Sequence, residues 1–319
     1  MIEKSSTAHF ASSGDPTLDR RYAWAEAAFK EGDAQAAVEI LDQTLAQAYH
    51  FTAAWHLYGL AQEALGHKED AATAWRQCLD LDPNDHFGAR LDLARIGAMS
   101  AEEATSENFS GTLFDTYAER FDSHLTQALQ YNAPALLKAA LARICDNARK
   151  PFRFDAVLDL GCGTGLMGEA IRDETGFLAG CDLSPRMIER ARAKMRADGD
   201  SLYDKLAVAG LTAFLTSRPD ACADLVIAAD VFVYVGELAP AFAQSARVLK
   251  HGGLFAFTVQ SHEGEGVVVG ADRRFAHAES WLRQRLEEAK LSPLMIEPAS
   301  TRQDRGEAVP GLLVVAQRL

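Results

Sequence analysis

Residues 157–165 read Val157-Leu158-Asp159-Leu160-Gly161-Cys162-Gly163-Thr164-Gly165, an apolar strand-like run that empties into three alternating glycines. A chain that leaves a strand and opens a helix through such a loop must turn sharply and let a ligand touch its backbone. Residues without a Cβ permit both. This commits the region to a parallel sheet covered by helices, with a binding crevice beyond the carboxyl ends of the strands. Two details narrow it further. The spacing is G-x-G-x-G, with Leu166 where a dinucleotide fold usually places its third glycine, and Asp159 stands two residues before the first glycine.

The stretch around this loop alternates in the way such a sheet requires. Apolar runs of strand length fall at 156–160, 177–182, 205–209, 225–229 and 254–259, with helical patterns at 166–174, 185–197 and 240–249 between them. A helix at 278–289 and two late strands, 294–297 and 311–316, follow, and the turn-rich stretch between those strands predicts an antiparallel hairpin at the sheet edge. Two amphipathic segments, 113–129 and 133–147, precede the first strand.

Upstream the pattern is helical and repeated with a period of 34: Gly32 aligns with Gly66, Ala37 with Ala71, Leu41 with Trp75 and Leu45 with Leu79. The second copy is the clearer one, with Trp55, Gly59, Gly66, Ala71, Trp75 and Pro83; the first has Ala25 and Tyr49 where the second has Gly59 and Pro83. Pro83 ends the second helix of its pair. Residues 87–96 then form a further helix that caps the exposed face. The expected organisation is a disordered tail (1–17), a helical-repeat domain (18–97), a small polar linker (98–110) and an α/β domain (111–319).

Charge sharpens the division. Residues 1–110 hold 18 acids and 8 bases of a chain whose net charge is −13. An acidic chain without basic clusters is a poor partner for nucleic acid or an anionic membrane. No apolar run is long enough to span a bilayer, and the polar N-terminus lacks a secretory pattern, so a cytoplasmic location is expected. The five cysteines match no zinc spacing and read as small buried residues in a reducing compartment, with no metal site.

The 157–165 motif resembles motif I of the class I S-adenosylmethionine-dependent methyltransferases. The second helical copy resembles the tetratricopeptide repeat. The segment 113–122 (Leu-Phe-Asp-Thr-Tyr-Ala-Glu-Arg-Phe-Asp), Arg274-Phe275-Ala276-His277 and Arg305-Gly306-Glu307-Ala308-Val309-Pro310-Gly311 resemble a bacterial group of predicted methyltransferases carrying such repeats, related to the Williams–Beuren-region methyltransferases. The resemblance implies a Rossmann-like α/β sheet preceded by a small all-α repeat domain, S-adenosylmethionine as cofactor and S-adenosylhomocysteine as product.

The site expected from these motifs is as follows. Asp159 holds the methionine amino group; Gly161, Cys162, Gly163, Thr164 and Gly165 form the cradle. Asp182, ending the second strand, anchors the ribose, with Leu183 and Met187 beside it. Ser184 caps the next helix, with Pro185 at its first position. The adenine falls to backbone near Leu211, because Ala209-Gly210-Leu211-Thr212 lacks the acid often found there. Asp230 and Val231 lie where methyl donor and acceptor meet, and Tyr117 crosses the cofactor. Core packing is the reading for Phe121. Tyr234 and His277 are the catalytic candidates. Arg274, Arg302 and Arg305 are read as surface or loop-anchoring residues rather than acid-binding. No Pro-Pro dipeptide follows strand four and no Pro-Cys pair occurs, which argues against adenine, glutamine-amide and cytosine C5 acceptors. The expected acceptor is a small molecule or a protein side chain, with the repeats serving a protein partner or self-association. The competing expectations are a non-catalytic interaction protein with a degenerate domain, and a nicotinamide oxidoreductase.

Overall fold

The computed structural model describes residues 11–120, 131–304 and 306–319, without the side chains of Tyr117 and Arg120. The chain divides into two compact units, residues 1–109 and 110–319.

The first unit is built from helix pairs. α1 (Pro16–Lys30) and α2 (Ala34–Leu45) form one hairpin, α3 (Thr52–Ala64) and α4 (Lys68–Leu81) the next, and α5 (Ala89–Arg95) follows. α1 begins earlier than expected: Asp15 caps Thr17, and Asp19 accepts hydrogen bonds from the hydroxyls of Ser12 and Ser13, ordering residues assigned to a tail. In the second hairpin the fully buried indole of Trp75 lies directly on Gly59, where any Cβ would collide with the ring. α5 packs Leu93 and Ala89 against Trp75 and Cys78, closing that core. The stretch read as a linker contains a 3-10 turn, Glu102–Ala104, with Ala104 buried.

The second unit carries a mixed sheet of β1 (Phe154–Leu160), β2 (Thr175–Asp182), β3 (Lys205–Val208), β4 (Ala223–Ala228), β5 (Leu249–Ser261), β6 (Val267–Val269), β7 (Phe275–His277), β8 (Leu291–Ala299) and, last in the chain, β11 (Gly311–Arg318). Its order is β3-β2-β1-β4-β5-β11-β8, with β7 beside the end of β5 and β6 beside β7. Strands β1 to β5 are parallel; β11 runs antiparallel to both β5 and β8. The terminal hairpin therefore exists, with its second strand inserted between β5 and its first. A separate two-stranded ribbon, β9 (Gln303–Asp304) and β10 (Glu307–Ala308), sits in the turn between them.

Helices α6 (Glu107–Tyr117), α7 (Ala133–Asn147), α8 (Leu166–Ile171), α9 (Pro185–Ala193), α10 (Leu211–Thr216), α11 (Ala239–Val248) and α12 (Glu279–Glu288) complete the described α-helices. Both sheet faces are buried, which is why β1 and β4 are continuous apolar runs rather than alternating ones. One face holds a cluster of Phe232, Phe242, Phe255 and Phe257, with ring centroids 4.7–5.7 Å apart for Phe255–Phe257 and Phe232–Phe242. Each such burial stabilises the fold by about 1.5–3 kcal/mol. Phe232 thereby nails the loop after β4 to the core and fixes the residues on either side of it. No helix among the described residues is long and apolar enough to cross a membrane.

Candidate active site

β1 ends at Leu160 and the chain passes into the glycine loop. Gly161, Gly163 and Gly165 take φ of 61, 52 and 96°, the left-handed region that side chains resist. A Cβ on Gly161 would also stand 2.7 Å from Val231 Cγ2, so the loop after β4 presses against the glycine loop. Asp182, at the end of β2, holds the loop from the other side. One carboxylate oxygen accepts the Gly163 N–H at 3.0 Å and the other accepts the Ser184 N–H at 2.9 Å. Burial raises the Asp182 pKa, with the amide hydrogen bonds working against it. The Leu183 N–H also reaches this carboxylate, and of its roughly four acceptor positions the remainder is open to a ligand.

Beneath the loop lies Asp159, 1% exposed. One of its oxygens accepts the Tyr203 hydroxyl at 2.6 Å; the other is buried without a partner. Burial pushes its pKa up to about 7, against the Tyr203 hydrogen bond and with the help of the Asp182 charge. Tyr203 is a residue the motifs do not reveal. Its ring fills the space left by three glycines: a Cβ on Gly165 or Gly180 would lie 3.1 or 2.9 Å from it, and one on Gly168 would strike it outright. The tyrosine thus wedges β2, α8 and the loop together and orients Asp159 so that its second oxygen stays unpartnered.

The turn after β2 is fixed by its own sequence. Ser184 caps α9, with its hydroxyl oxygen accepting the Met187 N–H at 3.1 Å and Pro185 at the first helical position. The same hydroxyl donates to the Asp115 carboxylate on α6, which also receives the Arg186 N–H at 3.3 Å. α6, the helix carrying Tyr117, is tied in this way to the Asp182 turn; the Tyr117 side chain, like Phe121 and Arg305, lies outside the described residues. Cys162, Thr164 and Met187 are buried, while Leu183 and Leu211 are half-buried.

Beyond the ends of β4 and β5 a second group gathers. Asp230 adopts φ 58°, with its N–H donating to the Thr258 hydroxyl at 2.9 Å. Its carboxylate accepts both 2.8 and 3.1 Å hydrogen bonds from Arg302 Nη1 and one of 3.1 Å from the Thr301 hydroxyl. Arg302, 2% exposed, also donates to Gln260 at 2.8 Å. It anchors its loop rather than lying on the surface. Tyr234 is half-buried, with Phe114 edge-on at 4.9 Å and the Arg274 guanidinium over its ring at 5.6 Å. Burial raises its pKa, so its phenol stays neutral. The Tyr131 hydroxyl donates to the Ala229 carbonyl at 3.4 Å.

His277, a catalytic candidate from the sequence, is fully buried within β7. Its Nε2 bonds to the Val235 carbonyl at 3.0 Å and its Nδ1 is enclosed without a partner. Burial pushes its pKa down to about 4. Buried in this way, the ring ties β7 to the post-β4 loop.

Residues 158–257 match the family model of the methyltransferase domain, and residues 52–85 match that of the tetratricopeptide repeat. Among curated proteins, the chain is 29% identical over 129 residues to the ubiquinone biosynthesis O-methyltransferase of Thiobacillus denitrificans, covering 40% of this chain and 54% of that protein. It is 28% identical over 145 residues to the malonyl-[acyl-carrier protein] O-methyltransferase of Salmonella typhimurium, covering 46% and 51%. The chain thus spans about half the length of the curated relatives it matches. Among solved structures, the magnesium protoporphyrin IX methyltransferase of Synechocystis PCC 6803 superimposes with a TM-score of 0.52 at 16% identity, over 67% of this chain and 99% of that one; that structure holds bound SAH.

Proposed function

We propose that this chain, a class I methyltransferase with a tetratricopeptide-repeat region, transfers a methyl group from S-adenosylmethionine to a small molecule or a protein side chain and releases S-adenosylhomocysteine. The observation that carries the reading is the buried, partnerless oxygen of Asp159 under a glycine loop in left-handed backbone. A buried carboxylate oxygen without a donor is costly, and an ammonium group supplies the missing donors. The residues present therefore fit this cofactor: Asp159 for the methionine amino group, the free lone pairs of Asp182 for the ribose hydroxyls, and backbone at Gly161–Gly165 and Leu211 for the rest.

When bound, the sulfonium supplies an already activated methyl group, so the protein's share is alignment and exclusion of water. Asp159, near the end of β1, would hold the amino group of the donor, and Asp182, at the end of β2, would hold its ribose. Val231, pressed on Gly161, sets how far the loop can open. Asp230 and Tyr234 mark the side from which the acceptor enters. His277 takes no part.

The relatives' names carry three different acceptors, so likeness leaves the acceptor unassigned. The acidic, base-poor surface favours a small molecule or a protein over nucleic acid. The five free cysteines fit a reducing cytoplasm. Two hairpins and a cap form a short layer, suited to one protein partner or to self-association.

A thermal melt with S-adenosylhomocysteine, S-adenosylmethionine or NADH tests the reading. At 100 times its dissociation constant a ligand stabilises the fold by about 2.7 kcal/mol. The adenosyl ligands should shift the transition and NADH should not. Asp182→Ala should weaken S-adenosylhomocysteine binding at least tenfold by calorimetry; no shift with either adenosyl ligand at saturation overturns the assignment.

A further inference from the structure

We infer that the acceptor is a small carboxylic acid with a flat apolar body, its carboxylate held by Arg274 and its body against Tyr234 and Phe114. The inference rests on the methyltransferase reading and adds the acceptor's class to it.

Two guanidinium groups stand at this end of the sheet, and they are in different circumstances. Arg302 is buried and committed: it bonds to both oxygens of Asp230 and to Gln260. Arg274 is half-buried, and its side chain meets no carboxylate within ion-pair distance among the described residues; its contact is with Tyr234, to whose hydroxyl oxygen the guanidinium donates a hydrogen bond and whose ring centroid lies 5.6 Å away. Asp272, the nearest acid in sequence, accepts the Arg274 backbone N–H at 3.2 Å and lies 3.8 Å from Arg302, so its carboxylate is engaged elsewhere. A guanidinium with one N–H group on a phenol oxygen keeps the others of its five available, and a pair of them matches a carboxylate in a bidentate pair.

The location ties this cation to the acceptor. Tyr234 sits on the loop after β4, four residues beyond Asp230, and Arg274 precedes β7, which runs beside the end of β5. Phe114, edge-on to Tyr234 at 4.9 Å, adds a second aromatic wall from α6, the helix bound to the Asp182 turn through Asp115. Aromatic walls with one uncommitted guanidinium select a planar or apolar anion and reject its neutral isostere, because the isostere leaves the fork unpaired.

The test uses benzoate and its neutral isostere benzamide, titrated by NMR into the full chain saturated with S-adenosylhomocysteine. Benzoate should bind at least tenfold more tightly than benzamide. Arg274→Gln should erase that preference while S-adenosylhomocysteine affinity and melting temperature stay at the parent values, and Arg274→Lys should keep part of it. Equal binding of the two probes, or a preference that survives in Arg274→Gln, overturns the inference. If S-adenosylhomocysteine itself fails to bind, the methyltransferase reading falls first; if it binds and benzoate shows no preference, only the acceptor class falls.

Discussion

Replacing Asp159 by asparagine should make the second unit more stable and the protein a worse binder, and the stability effect should depend on pH. Burial lifts this carboxyl to about 7 from an ordinary 3.8. The folded chain thus holds the proton more tightly than the unfolded one. The carboxyl's contribution is fully present below about pH 4 and is lost as pH rises through about 7. Above that, three units at about 1.4 kcal/mol each amount to about 4 kcal/mol of destabilisation as an upper bound. Asparagine removes the charge, keeps an oxygen for the Tyr203 hydroxyl, and places an amide N–H group in the partnerless position at about 1–3 kcal/mol. The amide cost does not titrate, so the difference between two pH values isolates the carboxylate. The advantage of Asp159→Asn should grow by about 2–3 kcal/mol between pH 5 and pH 8. Hydrogen exchange of peptides from β1 and β4, corrected for the intrinsic pH dependence, reads the opening of this unit alone. Binding should move the other way, with S-adenosylhomocysteine affinity at pH 8 reduced at least tenfold. An advantage that is flat with pH would refute the buried-anion argument. Unchanged affinity would show that the orphaned oxygen does not face the ligand.

Arg302→Met would strand the Asp230 carboxylate without its guanidinium, at about 3–5 kcal/mol; a melting temperature lower by roughly 10 °C is expected, and an unchanged one would show the pair to be idle. Gly168→Ala drives a methyl group into Tyr203 and should cost about 1–3 kcal/mol while weakening S-adenosylhomocysteine binding, since the ring it displaces orients Asp159; unaltered affinity in a destabilised variant would remove Tyr203 from the positioning of the site. Gly59→Ala forces the same conflict on Trp75 in the first unit, so limited proteolysis should find residues 52–85 loosened while S-adenosylhomocysteine binding is unchanged.

What could be read from the sequence was what is decided over a few residues. Gly161, Gly163 and Gly165 announce themselves because each answers to its own φ, and Ser184-Pro185 because a cap is a matter of three consecutive backbone groups. The parallel strands follow from apolar runs that satisfy two buried faces at once. Where a local signal is short or absent, an element's bounds depend on what packs against it. The helix expected to reach 197 ends at Ala193, because Lys194 is extended and the chain folds back through a bridge between Met195 and Ser201. The three-residue strands β6 and β7 leave no room for an alternating pattern, and α10 is a helix of six residues.

Tyr203 marks the next step outward in range. Nothing in its own neighbourhood distinguishes it, yet Gly168 on α8 and Gly180 on β2 are small on its account, and Gly165 in the loop packs on the same ring. The sequence does carry a trace of it, in Gly168 and Gly180: glycines outside the loop, at places where neither a turn nor a positive φ calls for them, imply a bulky neighbour. The end proposed for the acceptor lies at the limit of this scale. Phe114, Tyr131, Asp230, Tyr234, Gln260, Arg274 and Arg302 come from six separate stretches, and no spacing relates them. Their contrast, one arginine committed and one not, exists only once β7 is laid beside β5 and the 300–302 loop is folded over Asp230. A methyl donor with fixed chemistry can be met by a fixed motif, whereas an acceptor is met by whatever the loops bring together, so its chemistry has to be sought in the charge state of these side chains rather than in their order along the chain.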